Sequence, residues 1–163
     1  MKKSAAATTL KKALVVLWDK SHIQGYLSPG ALRSATVELL TSDGDFLTLD
    51  MAKVKAIHFV REFTNHHEPE RKAFLSRPKM DGLWVRCRFR DDDCVEGIVA
   101  NNLVEMLENG VRLTPPDLHG NSLWIFIPGT ALTEIKVLGV VGIARRQPAA
   151  AAAASSQSKL FDE

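Results

Sequence analysis

An internal repeat constrains the fold of this 163-residue chain more than any other feature of its sequence. Gly97 follows Gly25 in a matching context 72 positions later (97 − 25), and Ile135 follows Ile57 at an offset of 78 (135 − 57). The offset grows where the second copy carries the longer loop at residues 115–121. Recurrence of one pattern at a nearly constant spacing indicates two copies of a single supersecondary unit, together covering residues 12–142.

Each copy of the repeat has the pattern of five short strands joined by tight turns. In residues 84–90, apolar and charged side chains alternate with a period of two, as in a half-buried strand. The three aspartates at residues 91–93 then favour a turn, and Gly97 stands where a small barrel bends. Strands are predicted at residues 12–18, 22–28, 36–41, 46–49 and 54–60, and again at 84–90, 94–100, 111–114, 123–127 and 131–138. Without a long helix, this pattern predicts an all-β fold of two tandem five-stranded small β-barrels.

The predicted domain boundaries follow from the repeat. They are a disordered lead at residues 1–11, a first small β-barrel at 12–61, a short connector at 62–82, a second small β-barrel at 83–142 and a disordered C-terminal tail at 143–163. Pro69 and Pro78 interrupt the connector, in which residues 70–76 leave room for one helical turn. A unit of roughly 50–60 residues has a marginal core. We therefore expect the two units to pack together, or against a second chain in a homo-oligomer.

Composition excludes several classes of protein. The chain is 45% hydrophobic and 25% charged, which is typical of a folded globular protein. A net charge of +2 is too small for a strongly basic nucleic-acid binder, although it leaves room for a local basic face. Cys87 and Cys94 are interpreted as reduced thiols, since the chain shows no secretory context. The apolar run at residues 13–18 is too short to span a membrane, so we expect a cytoplasmic protein without a membrane partner.

No combination of residues predicts catalysis, a bound metal or a cofactor. His66 and His67 are adjacent, which is a poor arrangement for holding one ion, and no third ligand follows at zinc spacing. The aspartates at residues 91–93 lack the spacing of a calcium loop. The loop at residues 117–122 holds Asp, His, Asn and Ser side chains, but one loop seldom supplies a nucleophile, its base and the group that orients the base. We therefore predict a protein that is not an enzyme, with an unrecognised enzyme built on this loop as the lesser alternative.

Three arginines form the main candidate binding site. Arg86, Arg88 and Arg90 alternate along one predicted strand, so their side chains share one face. Arg112 is predicted to extend this face. Because guanidinium groups bind phosphates in a bidentate manner, such a face is a candidate nucleic-acid-binding surface. The alternative, which the residue pattern alone favours, is an ordinary solvated sheet face that acidic neighbours such as Glu96 partly neutralise.

Two resemblances bear on the fold. Residues 127–135, Ile-Pro-Gly-Thr-Ala-Leu-Thr-Glu-Ile, match the closing pattern of Sm-like domains, and residues 49–57 match it without the proline. This resemblance implies two Sm-like small β-barrels, but the Sm signature for RNA binding is absent, so RNA binding is not implied. Residues 12–142 also resemble an uncharacterised bacterial family, through the motifs at residues 55–63, 88–97 and 113–121. That resemblance implies a fold and no activity.

The C-terminal tail carries a second candidate site. After the alanine-rich, low-complexity run at residues 147–156, the chain contains Gln157, Leu160 and Phe161. Their spacing is similar to the Q-x-x-L-F peptide by which bacterial replication and repair proteins dock on the DNA sliding clamp; an ordinary frayed terminus is the alternative. The predicted function is a non-enzymatic binding or adaptor module whose tail docks on a protein partner, for which the sliding clamp is the candidate. The alternative is DNA or RNA binding through the arginines.

Overall fold

The computed structural model describes residues 9–66, 68–107 and 110–142. Within them the fold is all-β, as predicted, with one five-residue helix, α1 (Leu103–Leu107), and short 3-10 turns at Pro29–Arg33, Met51–Lys53 and Gly129–Ala131. The strands are β1 (Lys11–Leu17), β2 (His22–Leu27), β3 (Thr36–Leu40), β4 (Phe46–Asp50), β5 (Val54–Val60), β6 (Gly82–Phe89), β7 (Cys94–Val99), β8 (Gly110–Leu113), β9 (Ser122–Pro128) and β10 (Leu132–Val141). No helix in this part of the chain is both long and apolar enough to cross a membrane.

The two halves of the chain have the same strand order. A seven-stranded sheet runs β4-β3-β2-β1-β5-β9-β8, and a three-stranded sheet runs β10-β6-β7. A single bridge between Ile98 and Thr114 connects β7 to β8. If this bridge is counted as a pairing of β7 with β8, the strands of the second half have the order β9-β8-β7-β6-β10. This order repeats β4-β3-β2-β1-β5 of the first half. The 3-10 turns at Met51–Lys53 and Gly129–Ala131 also recur at the offset of 78 (129 − 51).

The structure does not contain the two closed five-stranded barrels that the sequence predicted, since no sheet closes within the described residues. The reason is that β5, the last strand of the first half, pairs antiparallel with β9, the fourth strand of the second half. In this seam, Ile57 lies opposite Phe126 and Phe59 lies opposite Trp124. The rings of Phe59 and Trp124 stack with centroids 3.9 Å apart. The halves are therefore joined by a continuous sheet.

Two hydrophobic clusters flank the β5–β9 seam. One cluster is built mainly from β6, β7, β8 and β9 and also takes Ala56 from β5. The other is built mainly from β1, β3 and β5 and also takes Phe126 from β9. Because neighbouring side chains along a strand point to opposite faces, β5 and β9 each contribute to both clusters. The seam is thus part of the interior of the protein.

The connector crosses the surface without regular secondary structure. Residues 70–76, which left room for one helical turn, contain none. Instead, the Lys72 carbonyl accepts a hydrogen bond from the Glu96 N–H at 2.7 Å, and the Phe74 ring packs edge-on against Trp84. The connector therefore covers part of the second half while leading into it.

Candidate nucleic-acid interface and neighbouring cleft

The predicted alternation along β6 is present in the structure. Its outward side chains are exposed and its inward ones are buried in the core of the second half, in the order Val85 (buried), Arg86 (exposed), Cys87 (buried), Arg88 (exposed), Phe89 (buried), and then Arg90 (exposed) after the strand. The period-two pattern of the sequence produces this arrangement directly, because successive side chains of a strand leave opposite faces of the sheet.

The carboxylates near Arg86 and Arg88 hold them loosely. Arg86 lies 3.6 Å from Glu96 and Arg88 lies 3.8 Å from Glu134, and the arginine side chains remain 47% and 53% exposed. Ion pairs of this length and exposure contribute little to stability. Glu96 is mostly buried and also accepts a hydrogen bond from the Trp84 indole at 2.9 Å. The two guanidinium groups are consequently accessible to an external anion.

A lysine that sequence reasoning missed lies beside these arginines. In the β10–β6 register, Lys136 is opposite Arg86 and Glu134 is opposite Arg88, so all four share the outer face of the three-stranded sheet. The alternation of Glu134 and Lys136 in the last strand was visible, but their placement required the register. We call Arg86, Arg88 and Lys136 the arginine face.

Arg90 and Arg112 each contact a tryptophan ring. The Arg90 guanidinium is 4.5 Å from the ring centroid of Trp18, and that of Arg112 is 3.9 Å from the ring centroid of Trp124. Both distances are typical of cation–π contacts. Arg112 lies on β8 of the seven-stranded sheet, and β7 stands between that strand and β6.

An ionic cluster joins the two halves next to Arg90. From β5, the Lys55 ammonium group donates to Asp91 at 2.7 Å and to Asp93 at 3.1 Å, and Lys72 of the connector donates to Asp93 at 2.9 Å. The hydrogen bond from Lys55 lowers the pKa of Asp91. Burial acts to raise the pKa of Asp93, but Lys72 and Lys55 outweigh it and the net shift is downward. For Lys55, burial acts to lower the pKa, yet the two aspartates raise it overall. The predicted turn at residues 91–93 therefore also carries an inter-half contact.

A cleft of about 950 Å³ lies between β1 and β5 of the first half, the connector, and the loop before β9. Its wall includes Ser122, whose hydroxyl lies 2.9 Å from Nδ1 of His58. The Ser122 N–H donates to Glu70 at 2.9 Å, and the residue is only 5% exposed. His58 is a second residue that sequence reasoning missed, because it is 64 positions away from the serine. These contacts tie β9 to β5 and to the connector, which is a structural role.

Several predicted site residues fall where the structure gives no account of them. Gln157, Leu160 and Phe161 of the proposed docking peptide lie outside the described residues. His67, which was not predicted to bind a metal, also lies outside them. Among residues 9–66, 68–107 and 110–142, no group of three or more His, Cys, Asp or Glu side chains is placed to hold a metal ion.

Fold and site together define an all-β protein built from two repeated five-strand units with an exposed cationic face. A family model matches residues 9–139, and the chain belongs to that family, which is described as a family of unknown function (DUF6982). Searches of curated proteins and of solved structures found no match.

Proposed function

We propose that this protein is a non-enzymatic nucleic-acid-binding module that contacts phosphates through the arginine face. The observation that carries the proposal is the exposure of Arg86 and Arg88 on one sheet face, each with only a distant carboxylate at 3.6 and 3.8 Å. Guanidinium groups bind phosphate oxygens in a bidentate manner, and such charge-assisted hydrogen bonds are roughly twice as strong as neutral ones. Contacts of this kind position a nucleic acid without reading its sequence.

The charge of the chain limits the expected affinity. With a net charge of +2, long-range attraction is weak, and binding depends on the local cations. Three phosphate contacts to a single strand predict a slope of about −2 for the logarithm of the affinity against the logarithm of salt concentration. Affinity should therefore fall roughly 15-fold between 50 and 200 mM salt.

The test compares two double variants that remove the same charge. Binding of labelled single-stranded RNA and DNA is followed by fluorescence anisotropy over a salt series. We expect the variant R86A/R88A to bind weakly and to reduce the steepness of the salt slope by about 1.4. The control K11A/K53A removes two exposed lysines of the first half and should keep the original slope. Arg90 is left intact because its replacement would also disturb the contact with Trp18.

Equal losses in the two variants would show that only net charge matters and would remove the arginine face as a site. Failure of the unmodified protein to bind either nucleic acid at low salt would contradict the proposal altogether. The sheet itself should tolerate the double substitution, since Glu96 keeps its hydrogen bond from Trp84 when Arg86 is removed.

We also propose that each half is an Sm-like unit that has opened along one side. The order β4-β3-β2-β1-β5 and its repetition in the second half support this assignment, as do the short 3-10 turns at equivalent positions before β5 and β10. The residues that close the pattern, at 49–57 and 127–135, include these turns. This assignment concerns architecture, and the absence of the Sm signature for RNA binding leaves the arginine face as the independent argument for function.

A second proposed function is docking of the tail on a protein partner, for which the DNA sliding clamp is the first candidate. The family match ends at residue 139 and β10 ends at Val141, so Gln157, Leu160 and Phe161 follow the domain by more than a dozen positions. Burying two large apolar side chains in a partner is worth roughly 3–6 kcal/mol. Ordering the segment costs about 2–5 kcal/mol, so single-site affinity should be weak and should improve on a ring with several sites.

The docking proposal is tested by titrating the full-length protein and a peptide of residues 155–163 against the sliding clamp. We expect weak binding that the variant L160A/F161A abolishes in both formats. Equal binding by the variant, or no binding at about millimolar peptide, would refute the proposal.

A further inference from the structure

Two strand edges remain unpaired within the described part of the chain. β4 forms one end of the seven-stranded sheet, and β10 forms one end of the three-stranded sheet. A free edge exposes a row of backbone N–H and C=O groups that another strand can use. In the repeat, β4 is the counterpart of β9, and β10 is the counterpart of β5. The free edges are thus equivalents of the two strands that pair with each other at the β5–β9 seam.

Two exposed apolar residues of β10 occupy positions that are buried in β5. Adding 78 to Ile57 and Phe59 gives Ile135 and Val137. Ile57 and Phe59 are 0% and 1% exposed, whereas Ile135 and Val137 are 36% and 51% exposed. The difference arises because β9 covers β5, and no strand among the described residues covers β10.

The same relation holds between β4 and β9. Subtracting 78 from Trp124 and Ile125 gives Phe46 and Leu47. Phe46 is 69% exposed and Leu47 is 37% exposed, while Ile125 is 5% exposed and Trp124 stacks on Phe59 in the seam. An exposed edge strand that carries large apolar side chains is a surface with which another strand can pair.

We infer that a second copy of this chain pairs its β4 with β10, repeating the β5–β9 seam between molecules. In the internal register, Ile57 faces Phe126, His58 faces Ile125 and Phe59 faces Trp124, so that the two residue numbers of a pair sum to 183. Residue numbers in β10 are 78 higher than their counterparts in β5, and those in β4 are 78 lower than their counterparts in β9. The residue numbers of each intermolecular pair therefore also sum to 183.

The predicted intermolecular pairs are Ile135 with Thr48, Lys136 with Leu47, and Val137 with Phe46. Val137 and Phe46 take the places of Phe59 and Trp124, so the most exposed large apolar residue of each edge meets that of the other edge. The contact joins two different surfaces, one on each molecule. Repetition therefore produces a ring if the rotation closes and a filament if it does not.

The first test uses variants that block one edge each. Sedimentation velocity over a concentration series should show association of the unmodified protein and monomers for both F46K and V137K, because a charge facing the new strand blocks pairing. The control L75K replaces the most exposed apolar residue away from both edges, which is 83% exposed, and should associate as the unmodified protein does. Circular dichroism establishes that all three variants remain folded.

Mixing the two monomeric variants distinguishes this head-to-tail contact from a symmetric one. F46K retains an intact β10, and V137K retains an intact β4, so the mixture should form one-to-one dimers and nothing larger. In a symmetric β4–β4 or β10–β10 contact, one variant would still dimerise by itself. A mixture that remains monomeric, or an unmodified protein that is monomeric up to about millimolar concentration, would overturn the inference.

Disulfide trapping tests the register. Residues directly opposite in an antiparallel pair have Cα atoms about 4.5–5.5 Å apart, which is within the range that a disulfide spans. In a Cys94→Ser background, F46C mixed with V137C should cross-link on mild oxidation. The matched control V140C is also an exposed apolar position on β10, 46% exposed, but lies three residues out of register. Equal cross-linking of F46C to V137C and to V140C would contradict the proposed pairing.

Discussion

Replacement of Gly97 by alanine should destabilise the second half of the molecule more than its small size suggests. A Cβ atom at this position would lie 2.5 Å from Cδ1 of Leu113 and 2.9 Å from the carbonyl oxygen of Thr114. Leu113 is 1% exposed, so its side chain has no free space into which it can rotate. The Thr114 carbonyl accepts from the Ile98 N–H at 3.0 Å, and the Thr114 N–H donates to the Ile98 carbonyl at 2.8 Å. A shift of Thr114 would therefore strain the bridge that links β7 to β8.

The expected loss is the sum of two contributions. Overpacking of a well-packed core by one methyl group costs about 1–3 kcal/mol, and weakening one buried backbone hydrogen bond costs about 1 kcal/mol. We expect Gly97→Ala to lower the free energy of unfolding by about 2–4 kcal/mol. For a chain of this length, such a change lowers Tm by roughly 5–15 °C. Urea unfolding followed by tryptophan fluorescence and by circular dichroism measures both quantities.

Two further glycines make the comparison specific. Gly25 is the counterpart of Gly97 in the first half, where a Cβ atom would lie 2.6 Å from Cγ of Leu39, so Gly25→Ala should cause a similar loss. At Gly30, the nearest atom is Oγ of Ser28 at 3.8 Å, and Gly30→Ala should change stability by less than about 0.5 kcal/mol. Steric overlap at Gly97 is refuted if Gly97→Ala unfolds at the same urea concentration as the unmodified protein, or if Gly30→Ala lowers the free energy of unfolding by as much as Gly97→Ala.

Two other predictions concern titratable groups. Burial raises the pKa of the Cys87 thiol to about 12, so iodoacetamide at about pH 8 should label Cys94 in the native protein and label Cys87 only after unfolding; comparable native labelling of both by mass spectrometry would contradict this. Asp93 has its pKa lowered in the folded state, so its ion pairs stabilise the fold above the unfolded pKa, and this stability is lost as pH falls through the folded value. Asp93→Asn should therefore cost about 1 kcal/mol at neutral pH, with the difference from the unmodified protein shrinking below about pH 4. A difference that is the same at pH 7 and pH 3 would refute the assignment.

Local patterns were sufficient to predict the strands. Period-two alternation at residues 84–90 predicted β6 and the outward direction of Arg86 and Arg88. The repeat predicted which strands of the two halves are equivalent. These features depend on neighbouring residues alone, because strand geometry fixes which side chains share a face. Strand ends lie within three residues of the prediction; both ends of β5 coincide with it, and the largest difference is at β10, which extends to Val141. The helix α1 was not predicted, since five residues are too few to show a periodicity.

The pairing of β5 with β9 could not be predicted from local patterns, because it joins residues far apart in the chain. The sequence does contain one indication. Residues 125–127 are apolar without alternation, a pattern typical of a strand buried on both faces, and β9 indeed contributes Ile125 and Phe126 to different clusters. The same limitation explains the candidate site, where Lys136 joins Arg86 only through the β10–β6 register.

The repeat also explains why the cationic residues lie in the second half. Adding 72 to Leu14 and Val16 gives Arg86 and Arg88, and adding 78 to His58 gives Lys136. In the first half, Leu14, Val16 and His58 line the cleft that the connector and the loop before β9 partly cover.

The arginine face of the second half thus corresponds to the cleft wall of the first half, but it is exposed rather than partly covered. A surface that faces neighbouring protein favours apolar side chains, whereas one that faces solvent has no such requirement. Solubility alone would be met by any mixture of charged residues. Three cations against two carboxylates, Glu96 and Glu134, leave this surface with an excess of positive charge, which the proposed nucleic-acid ligand would use. If the proposed β10–β4 contact forms, this surface would border the β4 of the next molecule, so that each added copy would place another arginine face along the assembly. Nucleic-acid affinity should then rise with protein concentration in the unmodified protein and remain that of a single site in V137K.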